Sequence, residues 1–408
     1  MIIIIRNYVL GTIEIYKKRN MNKQFIKSKV LIISFAHFAH DIFSAFLAPL
    51  LPLIIEKLGL SLSMVALLDV IRRIPALLNP LLGLVAEKRD VKYFVILTPA
   101  ITAISMSLIG LAPSYTTLVI LLLVAGISSA LFHIPSPTMI KMASGDRTGT
   151  GMSYYMVGGE FARTLGPLLV TAAVSWWGLE GVYKLMPIGI IASLILYYKL
   201  RDFETHVKAK KREKGDTKAL LIKYKGFFIT IGLFVVFQSA MKSSLTLYLP
   251  IYLVQNGESL WYAGIALSIL QFSGVVGVFL AGNISDKIGR YQTLLLTATG
   301  STIFMGLFIY YQNMFILGIL GFFLFAATPV LIAFVQDTNS HMPTFMNSIY
   351  MAINFGVSSI IVLGIGYLGD SIGLNETFVI CNIMAVGTIM VALLFRKYQH
   401  NLKEKNDI

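Results

Sequence analysis

The 408-residue chain has almost no cysteine and little charge. Its one cysteine, Cys381, excludes an intramolecular disulfide, and its apolar setting makes it a small core or lipid-facing residue. Only 13% of residues are charged. With 56% hydrophobic residues and a mean hydropathy of +0.75, that scarcity excludes an ordinary water-soluble globule. No phosphate-binding loop, hydrolase nucleophile elbow or metal-ligand motif occurs, which argues against an enzyme, a cofactor and an ATP-driven pump on this chain. The apolar block Ile2 to Ile5 is too short for a signal-peptide core, and no small-residue cleavage site follows; Met21 is a second candidate start.

What the chain does have is a series of long apolar runs separated by short polar breaks. They predict helices over 30–55, 61–86, 92–112, 115–143, 149–176, 181–200, 226–254, 260–284, 291–311, 313–338, 344–369 and 373–396. The expected fold is an all-α membrane protein with twelve transmembrane helices in two six-helix bundles, residues 30–200 and 226–396. A basic linker, 201–225, joins them, and 1–29 and 397–408 are terminal tails.

Of the 34 Lys and Arg, 28 fall in the two tails, the linker region and the loops 86–92, 141–150 and 285–291, all on one side of such a bundle. The opposite loops hold only Lys57 and Lys184. Basic residues accumulate on the cytoplasmic side, so both termini are expected in the cytoplasm of a cell whose plasma membrane holds the chain. The same asymmetry accounts for the net charge of +14 without a nucleic-acid partner, and makes Lys208-Ala-Lys-Lys-Arg-Glu-Lys214 a solvated linker.

Against this background stands Ser34-Phe-Ala-His37-Phe-Ala-His40-Asp41-Ile-Phe-Ser44. His37, His40, Asp41 and Ser44 fall at i, i+3, i+4 and i+7, on one helix face. Charge in mid-membrane costs about 2.5–3.5 kcal/mol per residue on an insertion scale, so such residues mark function. Seven charged side chains lie inside helices: Asp41, Asp69, Arg72, Arg73, Glu160, Arg163 and Lys242. Asp69 with Arg72 and Glu160 with Arg163 are i, i+3 pairs, which leaves Asp41, Arg73 and Lys242 without a local partner.

The two halves repeat each other. Asp41 lies eight residues before Pro49 and Lys242 eight before Pro250, a register that also sets His37 against Gln238. Pro135 pairs with Pro329, and Met152 with Met346, both 194 residues apart. Repeated bundles place their substrate site between the halves near the midplane. Asp41 and Lys242 are therefore expected on opposite walls of one cavity, interacting directly or through substrate, or else as a fixed ion pair. Asp41 is expected to bind the coupling proton, with Glu160 as a second acid. For His37 and His40 two readings stand, proton relay and hydrogen-bonded packing. They have ligand chemistry, but their spacing is common and no metal is assigned. Arg72, Arg73, His133, Arg163, Gln238 and Lys242 are the expected cavity residues; His133, ahead of Pro135 and Pro137, either lines it or bonds a freed carbonyl. Four cations against three acids favour a carboxylate, phosphate or phosphonate.

Gly282-Asn-Ile-Ser-Asp286-Lys-Ile-Gly289-Arg290 resembles the loop signature Gly-x-x-x-Asp-x-x-Gly-Arg of the major facilitator superfamily, with a degenerate copy at Gly83-Leu-Val-Ala-Glu87. His37-x-x-x-Asp41, Gly126-Ile-Ser-Ser-Ala-Leu-Phe-His133, and Met156-Val-Gly158-Gly159 followed by Gly166-Pro167 resemble its fosmidomycin-resistance branch. The resemblance covers residues 30–396. It implies a secondary transporter in the lipid bilayer that exports drugs or other small molecules; with the embedded charges, the expected function is export of a small anionic or amphipathic molecule against protons by alternating access, by a monomer. Asp286, Arg290, Gly282, Gly289 and Glu87 are then candidates for a conformational latch. Uptake of an organic anion or sugar is the alternative. A membrane sensor or scaffold is the alternative from another class, against which the seven embedded charges argue.

Overall fold

A backbone crossing hydrocarbon has to satisfy its own N–H and C=O groups, so each apolar run is helical. A computed structural model describes residues 25–78, 92–203, 217–338 and 343–406, and among these all regular structure is helix. The helices are α1 Lys27–Leu58, α2 Leu62–Arg73, α3 Lys92–Leu111, α4 Tyr115–Ser144, α5 Thr148–Trp177, α6 Glu180–Leu200, α7 Lys218–Gln255, α8 Leu260–Ile288, α9 Arg290–Tyr311, α10 Met314–Gln336, α11 Phe345–Ile372 and α12 Leu374–Tyr398. Ten are long and apolar enough to cross a membrane; α2 and α5, which carry five of the embedded charges, are the two outside that set.

Two ends depart from expectation. Helix is already present at Thr217, inside the expected linker, and helical structure runs on beyond the membrane-length part of α12 to Asn406, through most of the expected tail. Met21, Gly83, Glu87 and the linker residues 204–216 lie outside the described residues.

Proline sets the irregularities. Pro49 has no N–H to give the carbonyl four residues earlier, and α1 breaks at Ala45 and Phe46. In α7 the equivalent place is the π-helical turn Ser244–Tyr248, just ahead of Pro250. The repeat read from the sequence is thus a repeat of distorted helices. In α4, Pro135 and Pro137 divide Tyr115–His133 from Ser136–Ser144.

Small residues set how closely α5 approaches α1. A Cβ on Gly158 would overlap the Ser34 carbonyl, and one on Gly159 the His37 ring. The outer surface is apolar, with Phe279 71% and Ile360 70% exposed, a surface suited to lipid. The halves meet at the end away from the chain termini, where Gly264 of α8 packs on Thr171 of α5 and the first turn of α2 meets α11. Between the halves, nearer the termini, lies a cavity.

Candidate functional site

The cavity has a volume of about 570 Å³. The first half lines it with Asp41, Asp69, Arg72, Arg73, His133, Glu160 and Arg163. The second half contributes Lys242 amid hydroxyls and apolar groups, among them Ser239, Ser243, Thr246, Phe325 and Ser358. All seven embedded charges therefore face one space, and Asp41 and Lys242 share it as the repeat predicts. Its walls are unlike: ionic on one side, hydroxyl-rich with a single cation on the other.

Asp41 is the centre of the ionic wall, its side chain 6% exposed. His40 Nδ1 donates to its Oδ1 at 2.9 Å, His133 Nε2 lies 3.3 Å from the same oxygen, and His37 Nε2 lies 3.3 Å from Oδ2. Arg163 Nε approaches Oδ2 at 3.6 Å. His37 stacks on Tyr155 and His40 on Phe132, so packing fixes both rings. His37 Nδ1 lies 2.8 Å from the Tyr155 carbonyl. A carbonyl only accepts, so Nδ1 carries the hydrogen, and Nε2 is either a bare lone pair or the second N–H of an imidazolium. A bare lone pair so close to a carboxylate oxygen is repulsive. A proton on either group removes the repulsion.

His37 and His40 lie behind Asp41, buried, and only Asp41 and His133 of this group reach the cavity. Of the two readings of His133, the cavity position is the one observed. His37, Asp41 and His133 bring ligand atoms within 4.8 Å of one another and are the group that could hold a metal ion among the described residues. The Arg163 guanidinium, 3.6 Å from Asp41, opposes a further cation there.

Arg73 corrects the expectation that it lacks a local partner. Its Nη2 lies 2.8 Å from Asp69 Oδ2, while Arg72 Nη2 takes Asp69 Oδ1 at 3.1 Å. A carboxylate has two oxygens, and i+3 and i+4 both reach it from one helix face. The Glu160 and Arg163 pair forms as expected, at 3.1 Å. Lys242 makes no ion pair among the described residues; its Nζ stands 5.1 Å over the Phe325 ring, so the direct contact with Asp41 is absent. Gln238, expected in the cavity, turns instead into the α7–α10 packing and donates to the Leu324 carbonyl at 3.2 Å.

The loop signature is drawn together by its own arginine. Arg290 bonds Asp286, Ser285 and, at 2.9 Å, Asp337 at the end of α10, a partner the sequence reading missed. All lie in the second half, so these contacts brace one bundle rather than join the two. Gly289 adopts φ +102° between α8 and α9, where glycine is needed, whereas a Cβ on Gly282 would meet open space.

Sequence comparison agrees with this architecture. The chain is 24% identical over 362 residues to the fosmidomycin resistance protein of Escherichia coli (strain K12), covering 86% of this chain and 88% of that one. It is 24% identical over 291 residues to the multi-drug resistance efflux pump PmrA homolog of Lactococcus lactis subsp. lactis (strain IL1403), covering 68% and 71%. Among solved structures, it resembles a bacterial homolog of the human lysosomal transporter Spinster, in an inward-facing and unoccupied conformation. The TM-score is 0.78 at 15% identity, over 93% of this chain and 98% of that one. That likeness supports the twelve-helix, two-bundle fold. The profile of the Major Facilitator Superfamily matches residues 33–363, and with the paired bundles and the cavity between them it follows that the chain belongs to this superfamily of membrane transporters.

Proposed function

We propose that this transporter exports a small anionic or amphipathic molecule in exchange for protons, by alternating access, as a monomer in the plasma membrane with both termini in the cytoplasm. The observation that carries the reading is Asp41, ringed by three histidines and Arg163 at the cavity wall, in a cavity that also holds Lys242, which makes no ion pair among the described residues. A proton shared by Asp41 and His37 reaches the cavity through Asp41 itself or through His133. When Asp41 loses that proton, the Arg163 guanidinium, now on Glu160, is drawn toward Asp41. Proton occupancy thereby changes which cations face the substrate. Lys242, with Arg73 and Arg163 partly exposed, receives its anionic group.

The names of the relatives, a resistance protein and an efflux pump, support the outward direction. One observation favours the second reading, uptake by symport. The lining has four cations and three acids, so a proton added at Asp41 attracts an anion rather than repelling it. Flux in proteoliposomes under an imposed pH gradient, with fosmidomycin and a panel of carboxylates and phosphonates as probes, separates the two by direction. Flux indifferent to the gradient would refute both.

Lys242→Gln tests the anion site. It is expected to weaken binding of anionic probes by about tenfold to a hundredfold, the loss of one charge-assisted hydrogen bond, without unfolding the protein, since no ion pair is broken. Thermal shifts over a probe concentration series measure this; unchanged affinities would remove Lys242 from the site.

A further inference from the structure

The end of the molecule away from the termini is closed by contacts that run between the halves, and their chemistry is specific. The first N–H groups of any helix lack partners within it. In α2, Ser61 caps only the Met64 N–H, at 3.2 Å. The Leu62 and Ser63 N–H groups donate instead to Asp370 of α11, to Oδ1 at 2.6 Å and Oδ2 at 2.9 Å. The acid that completes α2 is supplied by the other half, where it also faces the positive end of that helix. Tyr248 of α7 adds a second link, its hydroxyl lying 3.3 Å from the Leu62 carbonyl and 3.2 Å from the Val362 carbonyl. Gly366 lets the elements approach, since a Cβ there would press on the Leu62 carbonyl and the Tyr248 hydroxyl.

We propose that Asp370 and Tyr248 are the positioning residues of the far-side gate. They hold α2 against α7 and α11 while the cavity faces the terminus side, and they release α2 when it faces the other. The release is reversible because water can replace a carboxylate on two N–H groups at the surface, where Asp370 lies. The gate is also joined to the cavity. Tyr248 ends the π-helical turn Ser244–Tyr248, which begins two residues after Lys242, so a ligand on Lys242 and the hydroxyl on Leu62 bear on opposite ends of one irregular turn. By contrast, the Arg290 contacts stay within one half. The inference rests on membership of a transporter family and is independent of the proton and of the substrate.

The test is accessibility. Cys381, the single cysteine, is buried and is replaced by serine. Ala48→Cys, in the cavity lining, is the reporter. A membrane-impermeant sulfonated maleimide is applied to intact cells and to inverted vesicles, with an epitope at the C-terminus assigning the sides. In the parent, labelling is expected from the terminus side. D370N is expected to raise far-side labelling about tenfold and to lower terminus-side labelling, with D370E restoring the parent pattern and Y248F giving a smaller change of the same sign. Labelling that is unchanged, or that rises equally from both sides, overturns the proposal. If D370N does not fold, as judged by its elution in detergent, Y248F decides by the same criterion.

Discussion

Asp41→Asn is expected to abolish flux driven by a pH gradient, by about two orders of magnitude, the lower end of what a positioned proton-transfer group supplies. The substitution is nearly isosteric. The amide oxygen still accepts from His40 Nδ1, and the amide N–H can donate to His37 Nε2, which has no hydrogen-bond partner in the native arrangement. The fold and the ring positions should therefore persist while the titratable group is gone. Counterflow without a gradient, measured in the same proteoliposomes, is expected to continue, because it needs the cavity and not the proton. Gradient-driven flux at the parent rate would refute Asp41 as the coupling site.

Asp69→Asn carries the largest expected cost in stability. Asp69 is 1% exposed and holds two guanidiniums, so its neutralisation leaves Arg72 and Arg73 without a counter-charge. Breaking a buried pair costs about 3–5 kcal/mol. The lower end is expected here, since both arginines reach the cavity and can find water. Melting in detergent is expected to show a large drop for Asp69→Asn, and a partial recovery when Arg73→Gln is added. A single variant that melts with the parent would mean that the pairing contributes little.

The sequence shows the fold in some detail because a bilayer leaves the chain few choices. Twelve apolar runs have to be helices, and the eight-residue spacing from Asp41 to Pro49 and from Lys242 to Pro250 places both distortions and both charges in register. Local pairs are legible for the same reason, and Arg73 lacks a partner in the sequence only if one carboxylate is allowed one cation. What the sequence could not show is rotation about each helix axis. Gln238 sits at the edge of the α7 face that carries Ser239 and Lys242 into the cavity, and a modest turn sends its amide to α10 instead. Nor does any periodicity connect His133 with Asp41, Asp337 with Arg290, or Asp370 with Leu62. Those contacts exist only once bundles pack.

The repeat that put a carboxylate on one wall and an ammonium on the other has an electrical consequence. Only one member of that pair can carry a proton as a neutral acid. On the proposed exchange, one proton entering and one monovalent anion leaving move two charges in the same direction. Each charge couples to the membrane voltage by roughly 2.3 kcal/mol per 100 mV. A potential negative inside would then drive export twice over, whereas symport of the same two species would be electroneutral. A potassium diffusion potential set with valinomycin, at equal pH on both sides, is expected to accelerate export and to leave symport unmoved.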